Sequence, residues 1–516
     1  MKALGTPDIG NFLKTSAWRY PDKIAVKDAD QSIARTYKEL NTRVNSLANG
    51  LLELGLKKGD FVAVLTYNCI ELVEIYFALA KIGAVVAPQV YRLSQREISE
   101  LVDLCKAKAF IFGNEFSGVV DAIRQKLPSV EHYIGLGETV ADKTISFETL
   151  AAEYPANEPC VDITEEDPQY LNYTSGTTGL PKAYILCHYN NGVALPMQFD
   201  EYRITPDDNV LIVFPMYGRV GFGWTVLSVL KGATIVTSNF SPDTFCSIVE
   251  KEKITMVNLV PTMAQMLLSQ SEIEKYDLST LRGIVFAGAP LPQSIYEQTR
   301  KRICKTVYEY YGLQETAIIT QIRPEMKLKK PASVGVPVPA LQIRIVDTAG
   351  EDVASGEIGD IIVRGPGVTT GYYNQPDKTA EVIKNGWFYT GDLGRWDDDG
   401  YLFLSGRRKD MIVSGGQNVF APEVEEILLA HSHVSDCAVI GLPHDVWGEA
   451  VTAVVLLKSD KAVDEKALIE HCRNHIAHFK SPKSVIFTSD IPRNPAGKVM
   501  KFMLVEKYAK SENKPA

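Results

Sequence analysis

A chain of 516 residues is longer than one hydrophobic core ordinarily organises, and at about 150 residues per domain it divides into several units. Its hydrophobic share of 45 % and charged share of 23 % are those of a globular protein and exclude a disordered or fibrous chain. The net charge of −9 gives no basic footprint for nucleic acid, and the apolar stretch at 75–90 is broken by Lys81, Gly83 and Pro88, so no membrane span is expected.

Eight cysteines (Cys69, Cys105, Cys160, Cys187, Cys246, Cys304, Cys437 and Cys472) are scattered without a Cys-x-x-Cys pair. That usage fits reduced, mostly buried thiols and a cytoplasmic location. The first residues lack the apolar run of a secretory leader.

In chain order, residues 61–65 read as a short buried strand, 71–81 carry apolar positions at helical spacing, and 84–88 read as the next strand. The same β-α-β rhythm recurs at 208–214, 234–237, 255–260 and 283–287, with amphipathic helices at 241–251 and 292–303. Largely parallel sheets covered by helices follow, an α/β fold. From 341 to 365 strict alternation without helices takes over, as in Gln342-Ile343-Arg344-Ile345-Val346-Asp347, and marks a β-rich subdomain at about 335–406. Beyond a basic run at Arg407-Arg408-Lys409-Asp410, strands at 438–441, 451–457 and 485–488 and a helix at 465–478 form a small α+β domain. The division is therefore 1–406 and 410–516.

One segment points to chemistry. Tyr173-Thr174-Ser175-Gly176-Thr177-Thr178-Gly179-Leu180-Pro181-Lys182 combines two flexible glycines, four hydroxyls and a closing cation, the composition of a loop that wraps a polyphosphate. It is not a Walker A loop, because Pro181 stands where that spacing needs glycine.

The loop resembles the signature of the acyl-adenylate-forming superfamily, which holds acyl-CoA synthetases, luciferases and adenylation domains. Four further segments match in order: Tyr311-Gly312-Leu313-Gln314-Glu315-Thr316, Tyr389-Thr390-Gly391-Asp392, Gly406-Arg407-Arg408-Lys409-Asp410 and Pro492-Arg493-Asn494-Pro495-Ala496-Gly497-Lys498. The resemblance implies a large N-terminal domain, a mobile C-terminal lid hinged near Lys409, and AMP-forming ligation of a carboxylic acid to CoA. ATP and CoA would be the co-substrates and Mg²⁺ the metal. The loop from Thr174 through Ser175, Gly176, Thr177, Thr178 and Gly179 would hold the phosphates, with Lys182 as counter-charge. Glu315 would bind the metal, as a hard carboxylate oxygen suits Mg²⁺. Asp392 is similar to the aspartate that accepts the ribose hydroxyls, and Arg407 to the arginine that reaches the ribose or the α-phosphate. Gly288, Ala289, Pro290 and Tyr311 would flank the adenine, and Gly312 and Gly288 would border the acid. Lys498 would bridge the carboxylate and the α-phosphate, and Gly415 and Gly416 would line the CoA channel. Rival readings are an acyl-AMP ligase that loads a carrier protein and a non-catalytic nucleotide-binding relative. Only 18 residues follow Lys498, too few for a fused carrier domain. The oligomeric state is left open, a homodimer included.

Two departures from the family pattern stand out, one at the ATP/AMP-binding position 314 in the phosphate region and one that bears on the acid. Gln314 replaces the usual threonine before the glutamate and keeps an amide that can donate a hydrogen bond. Pro215-Met216-Tyr217-Gly218-Arg219-Val220-Gly221-Phe222-Gly223 lacks the aromatic-His pair that most relatives carry. Gly218, Gly221 and Gly223 are expected to enlarge an acyl pocket bordered by Tyr217, which favours a medium-chain, aromatic or alicyclic acid. Arg219 offers a diacid alternative if it pairs with a second carboxylate. His471, His475 and His478 fall on one face of the expected C-terminal helix, a packed or solvated face rather than a zinc site.

Overall fold

The computed structural model describes residues 8–30, 33–137, 143–174, 182–458, 462–493 and 499–512. Two α/β sheets carry the first 340 residues. In the seven-stranded sheet the strands run Ile145–Ser146, His132–Leu136, Ala109–Gly113, Phe61–Leu65, Val85–Pro88, Pro168–Thr174 and Lys182–Cys187. All are parallel except the last, which returns antiparallel. The nine-stranded sheet has six consecutive parallel strands: Val307–Leu313, Gly283–Phe286, Met256–Leu259, Asn209–Ile212, Thr234–Thr237 and Ile24–Asp28. Its edges are antiparallel, with Ile33–Thr36 at one end and Ala317–Ile322 then Val336–Pro337 at the other.

Side-chain alternation sets the layers. Val62, Val64, Val210 and Ile212 share one core cluster between the sheets, with the helices Ile70–Ile82 and Arg219–Lys231. Ala63 and Leu65 face a second cluster, and Leu211 and Val257 a third, each on an outer face. The layers therefore run helix, sheet, helix, sheet, helix. Helix Ile70–Ile82 is buried at every position but Glu71, as a helix in a central layer must be, and ends on Gly83 at φ 68°.

The β-rich subdomain is an antiparallel sheet of Gln342–Val346, Gly359–Arg364, Trp387–Trp396, Ile383–Lys384 and Leu402–Arg407. A short 3-10 turn, Arg408–Asp410, leads from its last strand into a separate sheet of Gln417–Phe420, Met411–Ser414, Gly448–Leu457, Val434–His444 and Ser484–Phe487. The helix expected at 465–478 is shorter than its periodicity suggests: it spans Glu465–Arg473, with Asn474 at its cap, so His475 and His478 lie beyond it. All eight cysteines are free, six of them buried. Among the described residues, no helix is long and apolar enough to cross a membrane.

Candidate active site

Thr174, Lys182, Tyr311 and Glu315 lie at or beside strand ends of the two α/β sheets, the edge at which such sheets bind ligands, and Asp392 and Arg407 come to Tyr311 from the β-rich sheet. Thr174 and Lys182, which bound the signature segment, are opposed across the antiparallel strands Pro168–Thr174 and Lys182–Cys187. Ser175, Gly176, Thr177, Thr178, Gly179 and Pro181 lie outside the described residues, as does Lys498 with Asn494 to Gly497.

The segment at 311–316 is not a helix start. It is the turn of a hairpin between Val307–Leu313 and Ala317–Ile322, and Ala317 takes φ 57° to close it. Gly312 is required there: a Cβ would lie 2.0 Å from the Ala317 carbonyl oxygen. Glu315 at the tip has its backbone carbonyl held by Thr369 N–H at 2.7 Å. Its Oε1 accepts from the Tyr372 hydroxyl at 3.0 Å. Burial raises the Glu315 carboxyl above the usual carboxylate range, against the pull of Tyr372, Arg407 and Arg219.

Tyr372 was not marked by any motif. Its ring also lies under the Lys182 ammonium, 4.8 Å from Nζ to the centroid, so one aromatic side chain orients both the carboxylate and the cation. The only signal for it is the Gly371-Tyr372-Tyr373 run, and no spacing links that run to Glu315.

Asp392 and Arg407 face each other in the register of Trp387–Trp396 and Leu402–Arg407, and Arg407 Nε lies 3.0 Å from Asp392 Oδ1. The second oxygen, Oδ2, accepts from the Tyr311 hydroxyl at 2.7 Å. Tyr311 and Asp392 are 8 % and 7 % exposed, so the pair is fixed in the wall. Gly288 leaves strand Gly283–Phe286 at φ 84°, and Gly288 and Pro290 are exposed beside this wall while Ala289 is half-buried.

Gln314 is an anchor as placed. Its Oε1 accepts from the Tyr184 hydroxyl at 3.2 Å and from Arg219 N–H at 3.3 Å, which turns the amide nitrogen to the opposite side. Arg219 is 3 % exposed and donates through Nη1 to the Gln314 carbonyl at 2.8 Å and through Nη2 to the Gly367 carbonyl at 2.7 Å. Arg219 is thus a clamp between two backbone segments, and its buried Nε–H is without a hydrogen-bond partner among the described residues.

Room is left at only one of the three pocket glycines. A Cβ at Gly218 would meet nothing nearer than the Pro215 carbonyl at 3.5 Å. At Gly221 it would strike Met216 Cα and the Pro215 carbonyl at 2.6 Å, and at Gly223 it would press Leu195 at 3.2 Å. The space expected at Gly221 and Gly223 is therefore taken by protein, because helix Arg219–Lys231 runs close against its neighbours. Tyr217 is half-buried, its carbonyl accepting from Tyr170 at 2.7 Å and from Asn172 at 2.9 Å.

Gly415 and Gly416 are the two central residues of a hairpin turn between Met411–Ser414 and Gln417–Phe420, at φ 59° and 77°. Two positive φ values in a two-residue turn demand glycine-like freedom. Gly415 N–H donates to the Trp447 carbonyl at 2.8 Å. Lys409 sits in the 3-10 turn between the two sheets, and burial lowers its ammonium pKa.

The AMP-binding enzyme family model matches residues 13–373, more than half the chain, and the model of that family's C-terminal domain matches 423–498. The chain belongs to this family: it is an AMP-forming acyl-CoA synthetase of the acyl-adenylate-forming superfamily, an acid–thiol ligase. It is 31 % identical to the long-chain-fatty-acid–CoA ligase FadD13 of Mycobacterium tuberculosis over 97 % of this chain and 99 % of that protein. It is 34 % identical to a feruloyl-CoA synthase of an Amycolatopsis species, over 96 % and 97 %. The ATP-bound structure of MatB from Rhodopseudomonas palustris superposes with a TM-score of 0.90 at 30 % identity, covering 98 % of this chain and all of that one.

Proposed function

We propose that this enzyme ligates a medium-chain, aromatic or alicyclic carboxylic acid to CoA through an acyl-adenylate. A carboxylate oxygen attacks the α-phosphorus of ATP and pyrophosphate leaves. The CoA sulfur, its proton released to solvent, then attacks the acyl carbon and AMP leaves. The observation that carries the reading is the convergence of Lys182, Glu315, Tyr372, Tyr311, Asp392 and Arg407 at one sheet edge, from segments far apart in sequence.

In this reading Asp392 accepts the ribose hydroxyls, and Tyr311 and Arg407 hold it for that task. Gly288, Ala289 and Pro290 flank the adenine. Lys182 and the loop before it meet the phosphates, where preorganised donors contribute about 3 kcal/mol each to transition-state stabilisation. Glu315 is a half-buried carboxylate with no lysine or arginine bonded to it among the described residues, so a cation beside it would be favoured, and its oxygens would fit Mg²⁺. Bound there, Mg²⁺ neutralises charge on those phosphates.

Lys498 bridges the carboxylate and the α-phosphate in the first half-reaction. The Gly415–Gly416 turn lets the CoA arm approach the backbone in the second, after the domain from 410 onward rotates about Lys409. Gly218 supports the choice of a ring-bearing or medium-length acid, since the side chain missing there is not replaced by protein.

The test is acid-dependent exchange of pyrophosphate into ATP without CoA, across short, medium-chain, aromatic, alicyclic and dicarboxylic acids, followed by thioester detection with CoA. Exchange with ring-bearing or medium acids and a CoA thioester supports the reading. Exchange without thioester formation would transfer the acceptor role to a carrier protein.

A further inference from the structure

Tyr217 and Gly218 belong to a turn between strand Asn209–Ile212 and helix Arg219–Lys231, closed by Gly218 N–H on the Pro215 carbonyl at 3.1 Å. Three more of its polar groups are met by side chains from the seven-stranded half of the domain. Met216 N–H donates to Asn68 Oδ1 at 2.8 Å, and the Met216 carbonyl accepts from the Tyr76 hydroxyl at 2.7 Å. The Tyr217 carbonyl accepts from Tyr170 and Asn172, as described above. Asn68 lies in the loop between strand Phe61–Leu65 and helix Ile70–Ile82, and Tyr76 lies on that helix. Met216 and Tyr76 are fully buried and Asn68 is 7 % exposed.

The Asn68 amide nitrogen donates in turn to the carbonyls of Phe214 at 3.0 Å, Ser238 at 3.1 Å and Ile212 at 3.3 Å. Only one orientation of the amide fits these neighbours: turned round, its oxygen would face three carbonyls and its NH₂ group an N–H. One side chain of the seven-stranded half therefore fixes the ends of two strands of the nine-stranded sheet, Asn209–Ile212 and Thr234–Thr237, which Ser238 follows. A buried backbone group that loses its partner is costly, so the turn keeps the shape in which all of these bonds are made. That shape is dictated by residues 148 and 140 positions away from Met216 in sequence, not by the turn itself.

We propose that Asn68 and Tyr76 are positioning residues for the acid: by fixing Met216 they hold Tyr217 and Gly218 at the width that admits the acyl group. The wall is a fixed part of the site, and binding of the acid, not of the nucleotide, suffers when it loosens. The inference rests on the ligase reading above, which puts Gly218 beside the acid.

Three variants test it. Tyr76→Phe removes only the hydroxyl and keeps the ring edge-on to Phe222, 5.0 Å between centroids at 89°. Asn68→Asp keeps the acceptor for Met216 N–H but sets an oxygen against three carbonyls. Tyr37→Phe is the matched control, since the Tyr37 hydroxyl is equally buried and donates to the Ala233 carbonyl at 2.6 Å, at the far end of helix Arg219–Lys231. The KM for the acid is measured at saturating ATP and CoA, and the KM for ATP at saturating acid, with whichever short, medium-chain, aromatic, alicyclic or dicarboxylic acid gives the wild type its highest kcat/KM. Tyr76→Phe raises the KM for the acid about fivefold and Asn68→Asp raises it further, while the KM for ATP stays within about twofold. Tyr37→Phe leaves both constants within about twofold. A KM for the acid that does not rise in Tyr76→Phe overturns the proposal, as do equal rises for acid and ATP or the same rise for the acid in Tyr37→Phe. Tyr76→Phe keeps the test open if Asn68→Asp fails to fold. Absence of pyrophosphate exchange with every acid in the wild type strikes instead at the ligase reading, and at this inference with it.

Discussion

Arg219 ties the first turn of helix Arg219–Lys231 to the turn that presents Glu315: Nη1 donates to the Gln314 carbonyl at 2.8 Å while the Arg219 N–H donates to the Gln314 side chain at 3.3 Å. Helix Arg219–Lys231 and the turn that carries Glu315 therefore share one anchor. Removing the guanidinium leaves the Gln314 and Gly367 carbonyls without it, each a buried-acceptor loss. Arg219→Ala should cost about 2–4 kcal/mol in a urea melt and lower kcat/KM as Glu315 loosens. Arg219→Lys should recover less than half, because one ammonium does not span two carbonyls as a planar fork does. Unchanged stability and activity in Arg219→Ala would refute the clamp.

The Glu315 carboxyl is raised by burial, so as pH falls it loses its charge earlier than an exposed glutamate does. The acid limb of kcat/KM should accordingly lie above pH 4.5, the ordinary value for this group. Tyr372 donates to the carboxylate and so favours its charged form. Tyr372→Phe removes that hydrogen bond and should move the limb to still higher pH, while the ring stays under Lys182. A limb that moves down, or does not move, would show that Glu315 is not the group reported.

Tyr311 and Arg407 each take one oxygen of Asp392. Tyr311→Phe keeps the ring in its wall but frees Oδ2, a loss of about 1 kcal/mol in positioning. The KM for ATP should rise roughly three- to tenfold with a smaller change in kcat, read from initial rates at saturating acid and CoA. A change confined to the KM for the acid would place Asp392 elsewhere in the chemistry.

His188 is fully buried at the start of helix His188–Gln198, and burial holds its pKa down to about 4 against an ordinary 6.5. Its Nδ1 accepts from Ile9 N–H at 3.3 Å, which needs the neutral ring. The unfolded chain takes up this proton from pH 6.5 downward and the folded chain only near pH 4, so stability falls as pH drops through that window. The loss reaches about 3 kcal/mol at its lower end. In urea melts across this range His188→Gln should flatten the slope by up to about one proton, and an unaltered slope would exclude His188 as its source.

Much of the fold was legible because strand and helix periods differ. Residues 61–65 and 234–237 are strands within the expected bounds, and the helices found at Pro242–Lys251 and Gln293–Arg302 differ from expectation only at their ends. The hairpin at Val307–Ile322 was not legible, because its turn places Ala317 rather than glycine or asparagine at positive φ. The role of the pocket glycines was misread for a related reason. A missing side chain gives space to a ligand or to a neighbouring backbone, and only packing tells which: at Gly218 the space stays open, while at Gly221 Pro215 and Met216 fill it. Arg219 escaped because its partners are backbone carbonyls, which no motif encodes. Lys182, Glu315, Asp392 and Arg407 were singled out through the order of their motifs, whereas Tyr372, which contacts two of them, stands in no such pattern.

The central claim is that one site first makes an acyl-adenylate and then a CoA thioester. The most direct measurement follows pyrophosphate exchange into ATP, then AMP and acyl-CoA by mass spectrometry, in the wild type and in Glu315→Gln. The account predicts exchange that needs an acid but not CoA, thioester and AMP in equal amounts once CoA is added, and a fall of at least about a hundredfold in exchange for Glu315→Gln. Thioester formed with ADP and phosphate, or exchange undiminished in Glu315→Gln, would contradict it.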